Sequence, residues 1–384
     1  MKKAIIILSF IFIIIGTTNC YATKEVQDTD DIINSQKSSL NIGQFLKEAE
    51  KYTKDVFGDT DYNELLNSAI KGEIDNSKIG QSILNILGKE TFSSIRTIGI
   101  IMIIVIIHSV LKSLSDGLEN KSISQIVYYV QYILIVTVMM TSFAEIITMI
   151  KESISNLVAF ANTLIPVLMT LIISNGNIVS AGIMQPVLIF LVTFIGNFLL
   201  NIVIPIVLVS TTLGIISKIS DRIQLDRLSK FFKSTVVWAL GVILTLFVTL
   251  VSIEGNLGGS VDAVTVKTTK AAVSNFIPVV GKILGDAVDT VIGCTNILKN
   301  AVGIVGVIVV LGICIVPIIK LVVIMATYYI GSAMCQPIAD EKIVKLLAQM
   351  GDTFKVMLAI LSSISVMLII GTTLVIKVGR SELE

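Results

Sequence analysis

Residues 261–300 read VDAVTVKTTKAAVSNFIPVVGKILGDAVDTVIGCTNILKN, a charged stretch set between two long apolar ones. Projected at 100° per residue over 277–293, Lys282, Asp286, Asp289 and Gly293 fall within about 60° of one another. Ile277, Val280, Leu284, Ala287, Val288 and Val291 gather on the opposite side. In lipid, three central charges at ~3 kcal/mol each cost roughly 9 kcal/mol, against about −4 from eight Ile, Val and Leu residues. The stretch is therefore expected to lie along the interface, to re-enter, or to turn its charged stripe toward protein or a wet cavity. Gly281 and Gly285, four apart, allow close approach of another helix. Pro278 fits a first helical turn, with Asn275 or Ser274 as cap. With Lys267 and Lys270 upstream, the candidate residues facing a partner or cavity are Lys267, Lys270, Asn275, Pro278, Gly281, Lys282, Gly285, Asp286 and Asp289.

Composition sets the class. Of 384 residues 54% are apolar and only 15% charged, with mean hydropathy +0.88. Ordinary soluble proteins carry nearer ~25% charged residues, so this is a membrane protein with the lipid bilayer as its first partner. A net charge of +1 argues for neither nucleic acid nor an acidic substrate. Cys20 sits in the leader, and Cys294, Cys314 and Cys335 are isolated in apolar surroundings, where they read as small buried residues.

The expected fold is all-α and polytopic. Residues 1–22 have a basic start (Lys2, Lys3), an apolar core and a Cys20-Tyr21-Ala22 cleavage site, the pattern of a signal peptide. Residues 23–94, with 8 Lys or Arg against 13 Asp or Glu, form a small exported helical region. Its apolar residues recur at helical spacing in three places: Ile42 to Phe57, Tyr62 to Ile70, and Ile79 to Leu87. A membrane domain of about six spans covers 95–253. Within it, 153–217 holds 65 residues without a single Asp, Glu, Lys, Arg or His. The turn signal Ser174-Asn175-Gly176-Asn177 divides that block, and Asn197, Asn201 and Pro205 mark a second break. The amphipathic loop 218–233 carries five basic residues against two acidic ones and is expected to be cytoplasmic. A turn at 255–260 opens the exported-side amphipathic or re-entrant region 254–300. About three more spans, with a connector at 340–355, fill 301–384. Nine passes from an exported N-terminus leave the C-terminus in the cytoplasm.

Catalytic patterns do not surface. No G-x-x-x-x-G-K-[ST], H-E-x-x-H or G-x-S-x-G occurs, and His108 is the only histidine, which excludes a two-histidine metal site within one chain. Gly285-Asp286 matches half of an intramembrane aspartyl protease motif, but Ile283 stands where the other glycine belongs. The chain is read as no enzyme, with no cofactor and no metal. The alternative is a stand-alone secondary transporter for a small solute, with Pro166, Pro186, Pro205 and Pro317 as helix interruptions and Glu145 and Lys320 as deep charges.

Several blocks carry a family likeness: Lys267-Thr268-Thr269-Lys270, Asn275-Phe276-Ile277-Pro278-Val279-Val280-Gly281, Asp286-Ala287-Val288-Asp289-Thr290-Val291-Ile292 and Leu298-Lys299-Asn300-Ala301-Val302-Gly303. Val179-Ser180-Ala181-Gly182 and Pro186-Val187-Leu188 extend it. Through them the chain resembles the stage III sporulation protein AE family, over nearly its whole length. The resemblance implies a multi-pass protein of the mother-cell membrane around the forespore, without established catalytic residues. It implies as partners the other membrane proteins of the stage III sporulation A complex and a forespore-side protein, together building a channel-like or secretion-like conduit. Assembly as a homo-oligomer stays open.

Overall fold

The computed structural model describes residues 33, 35–38, 40, 42–57, 61–72, 88, 99–107, 109–110, 121–219, 224–276 and 280–378. Side chains at 55–57, 121–125, 127 and 254–289 lie outside that description. Every described element is helical: α1 (Ile42–Phe57), α2 (Tyr62–Lys71), α3 (Lys121–Ser174), α4 (Ile178–Phe198), a π-helical turn (Leu199–Val203), α5 (Ile204–Ile219), α6 (Asp226–Phe276), α7 (Val280–Cys335) and α8 (Glu341–Lys377).

The two short helices form where periodicity predicts them. Ile42, Phe45, Leu46 and Ala49 are the buried face of α1, and Tyr62, Leu66 and Ala69 that of α2. Asp61 caps α2 by accepting from the Asn63 N–H at 2.8 Å, and Gly72 ends it in the left-handed region at φ 74°. The Thr53 hydroxyl bonds the Tyr62 phenol. Burial first of all raises the Tyr62 pKa above its ordinary value. The third expected amphipathic helix, from Ile79 to Leu87, lies outside the described residues.

The nine expected spans do not survive as nine helices. The described residues contain five helical elements long and apolar enough to cross a membrane. The second and third spans fuse into α3, of 54 residues, because Glu145, Lys151 and Glu152 are good helix formers that project outward without breaking the backbone ladder. The seventh and eighth fuse through Lys320 into α7, of 56 residues, and the connector at 340–355 is simply the first half of α8. The expected turn at 255–260 is helical within α6: its glycines lower propensity by about 1 kcal/mol each but do not forbid helix. The first expected span is described only at 99–107 and 109–110, which are helical.

Only one of the two expected breaks in the uncharged block is a break. At Asn175–Asn177 the chain reverses, with Gly176 at φ 86°, a conformation glycine adopts without steric cost. At Asn197–Pro205 it continues through the π-turn, where the Ile204 N–H reaches back to the Leu199 carbonyl. The wider turn re-routes backbone bonds just before Pro205, whose missing N–H would otherwise leave a gap. Gly196 faces Val158 so closely that a Cβ there would stand 2.4 Å from the Val158 Cγ2, which brings α4 tight against α3.

The long helices align side by side. α7 and α8 run antiparallel along most of their length, tied by Ser332 Oγ to the Val344 carbonyl (2.9 Å), Tyr329 OH to Asp352 Oδ1 (2.7 Å) and Ser365 Oγ to Cys314 Sγ (2.8 Å). Phe354 lies between Tyr328 and Phe143, with ring centroids 5.3 and 6.4 Å away, which joins α8 to α7 and α3. The α5–α6 hairpin is closed by the Lys218–Asp226 ion pair and by Ser210 Oγ bonding the Ser229 carbonyl at 2.7 Å.

The same register brings the two ends of the described chain together. Gln36 Nε2 donates to Thr295 Oγ1 at 2.8 Å, and one turn along α7 Lys299 Nζ donates to the Val378 carbonyl at 2.7 Å. The N-terminal helices and the end of α8 therefore occupy one end of the bundle, whereas nine passes would have separated them. In sealed vesicles, a cysteine at Lys47 and a tag following Val378 should react alike with a membrane-impermeant reagent. Opposite accessibility of the two would show that the bundle is threaded differently.

Candidate functional site

The charged stretch that dominates the sequence is built on the facing ends of two long helices. Lys267, Lys270 and Asn275 belong to the last turns of α6, and Gly281, Lys282, Gly285, Asp286 and Asp289 to the first turns of α7. Pro278 and the side chains of all these residues lie outside the described residues, so the sequence projection alone assigns them a face. The backbone of α7 nevertheless runs unbroken from Val280 into the membrane portion. By the 100° projection, the stripe of Lys282, Asp286 and Asp289 continues through Gly293 to Asn296 and Asn300.

Polar contacts gather on the same turns of α7, where Asn296 lies on the stripe and Thr295 and Lys299 lie off it. Asn296 Oδ1 accepts from Asn175 Nδ2 at 2.9 Å, joining α7 to the turn between α3 and α4. Thr295 receives the Gln36 amide, joining α7 to the segment before α1. Lys299 is only 1% exposed, and its ammonium donates to a carbonyl at the C-terminus of α8. A cation there meets both an orphan carbonyl and the negative end of the helix dipole, which is why a lysine is tolerated in so apolar a place. Three separate pieces of chain thus converge on these turns of α7. Of this set, the sequence reading had marked Asn175 only as a turn residue and Lys299 only as part of a family block. Three- and four-residue spacing among Thr295, Asn296 and Lys299 was the available signal.

The arrangement fastens elements of the fold together. Among the described residues no group of three His, Cys, Asp or Glu side chains comes together. A cavity of about 20 Å³, lined by Ala161, Leu164, Leu188, Phe247, Val310 and Leu368 among others, lies in the middle of the bundle. A second, of about 10 Å³, is walled by Ile147, Ile150, Ile204, Val207, Met357 and Ile360. Both have the size of a single water or less, and apolar walls keep such spaces dry.

Five long apolar helices packed into one bundle define a multi-pass helical membrane protein. A family model described as Stage III sporulation protein AE matches residues 60–379, and the chain belongs to that family. A curated relative, the "Stage III sporulation protein AE" of Bacillus subtilis (strain 168), is 29% identical over 331 residues, covering 84% of this chain and 83% of the relative. No solved structure matches.

The Asn175–Asn296 bond gives a stability test. Replacing Asn296 with Leu strands the buried Asn175 amide and should cost about 1–3 kcal/mol. Adding Asn175→Leu removes the stranded group and should recover most of that loss, read as the thermal midpoint in detergent. Strictly additive losses would show that the pair is not coupled.

Proposed function

We propose that this chain is a non-catalytic membrane component of the stage III sporulation A apparatus, helping to form or anchor the base of a conduit between mother cell and forespore. Family membership over residues 60–379 carries this reading. The protein resides in the mother-cell membrane around the forespore. Its N-terminal helices and the 254–289 stretch lie on the intermembrane side, where the other membrane proteins of the complex and a forespore-side partner meet it. The basic hairpin that carries Lys218, Arg227 and Lys230 lies in the cytoplasm, as the excess of Lys and Arg favours.

The packed interior supports a component over a self-sufficient permease. A route for even a small hydrated solute needs polar walls and continuous space, and the two cavities supply neither. Work on a solute or a protein cargo would then fall to surfaces shared with other subunits. The charged stripe is the first such surface to test. Asp286→Leu combined with Asp289→Leu should abolish spore formation at unchanged protein level and reduce co-purification with the other complex proteins. Normal spore yield from that double variant would remove the stripe from the mechanism, and solute flux through liposomes holding the protein alone would replace the proposal with a permease.

A further inference from the structure

At one height of the bundle, neighbouring helices present opposite chemistry to the outside. The contact between Gly196 and Val158 sets Phe194 of α4 level with Phe160 of α3. Phe194 and, one turn away, Phe190 are bare, 53% and 65% exposed, and stacked on each other. Phe160 is fully buried beneath α1, whose Phe45 and Tyr52 rings cover it at 5.9 and 6.2 Å. On its outer side α1 exposes Lys47, Glu50, Lys51 and Lys54. Charge therefore sits on one flank of the bundle exactly where aromatic rings stand uncovered on the next.

The division continues along the helices. The small cavity walled by Ile147, Ile150, Ile204 and Val207 places the middle of α3 level with the start of α5. There α3 turns outward Thr141, Glu145, Thr148, Lys151, Glu152 and Asn156, all exposed. At the same height the α4–α5 edge shows Ile202, Pro205 and Val209 beside the uncharged Asn201, and no charged residue occurs anywhere from 178 to 217. The outer edge of α6 agrees with α4, exposing Trp238, Val242, Leu246 and Leu250. A shift of the bilayer along the bundle axis cannot account for both flanks, because the contrast holds at equal height.

We infer that the α3 edge, from Thr141 to Asn156 and on to the charged face of α1, borders an aqueous space, while the α4–α5 and α6 edges face acyl chains. Ionised groups avoid hydrocarbon, and bare aromatic and aliphatic side chains prefer it. Within a membrane, water beside a helix persists only where protein shields it from lipid, so protein beyond the described residues closes that space. The inference deepens the conduit proposal by naming its wet wall. It rests on the membrane reading alone, and a dispensable charged stripe at Asp286 and Asp289 would leave it standing.

Single cysteines in the full chain, in native membranes with the complex assembled, test it directly. With Cys20 replaced by Ser, the remaining native Cys294, Cys314 and Cys335 are buried and give a low background. Thr148→Cys and Asn156→Cys should react with a charged, membrane-impermeant thiol reagent about as fast as Lys47→Cys. Phe194→Cys and Ile202→Cys should react about a hundredfold more slowly, since charge is excluded from hydrocarbon, yet readily with a lipid-soluble maleimide. Thr141→Cys and Val209→Cys form a second pair should one of these fail to accumulate. Fast charged labelling on both edges would place this layer outside the bilayer, and lipid-soluble labelling alone at Thr148 and Asn156 would place α3 in lipid. Protection of Thr148 and Asn156 from both reagents would mean direct protein cover. Each of these three results overturns the inference.

Discussion

A backbone in hydrocarbon has no water to satisfy it, and that constraint governs how far each helix of this protein runs. An unpaired N–H or C=O costs several kcal/mol in an apolar medium, whereas an exposed charged side chain costs only what its own surroundings impose. The chain accordingly keeps helical bonding through Glu145, Lys151, Glu152 and Lys320 and lets those side chains find their own place outside. Within the uncharged block it departs from the regular ladder where the sequence provides a substitute: glycine in the left-handed region at Gly176, and the π-turn ahead of Pro205.

With continuous helices, packing falls mainly to α7. It touches α8 along most of its length and also meets α1, α2, α3 and α6. Leu298, Val302, Val305 and Val309 are fully covered at three- and four-residue spacing, a seam facing into the bundle. The polar members of the same helix do a different job: Thr295, Asn296 and Lys299 each take a partner from a different piece of chain. Dispersion along the seam is strong but indifferent to small shifts of register. Hydrogen bonds between fixed side chains are weaker in sum and select one register, which suits helices whose apolar faces are nearly uniform.

The parts of the fold legible in the sequence are those where polarity and periodicity agree. Alternation of Ile42, Phe45, Leu46 and Ala49 against lysines and glutamates announces α1, and the recurrence of Tyr62, Leu66 and Ala69 announces α2. Asn175–Gly176 announces the reversal between α3 and α4 because glycine there has a steric reason. Span counting failed where it treated a charge as a terminator. Glu152 and Lys320 end an apolar run yet remain excellent helix residues, and nothing local distinguishes a helix that leaves the membrane from one that continues beside it. The Asn197–Pro205 region failed differently: two asparagines and a proline read as a loop, while a one-residue widening of the helix absorbs them. The polar fastenings were illegible for a simpler reason, since Asn175 and Asn296 are 121 residues apart and meet only through the bundle's register.

Helix length then bears on what the chain can be by itself. At about 1.5 Å per residue, the 54 residues of α3 span roughly 81 Å, more than twice the ~30 Å of a hydrocarbon core. Tilt shortens the mismatch but cannot change the character of a face, and α3 carries its charges near its own midpoint. The helix packed against it carries none along its outer edge. A monomer surrounded evenly by lipid would have to place one of these two edges in the wrong medium. The interior offers no relief, because it is filled by side chains such as Phe354, Tyr328 and Phe160, each fully buried. Protein cover along the polar flank relieves that conflict, and the proposed assembly is one source of it.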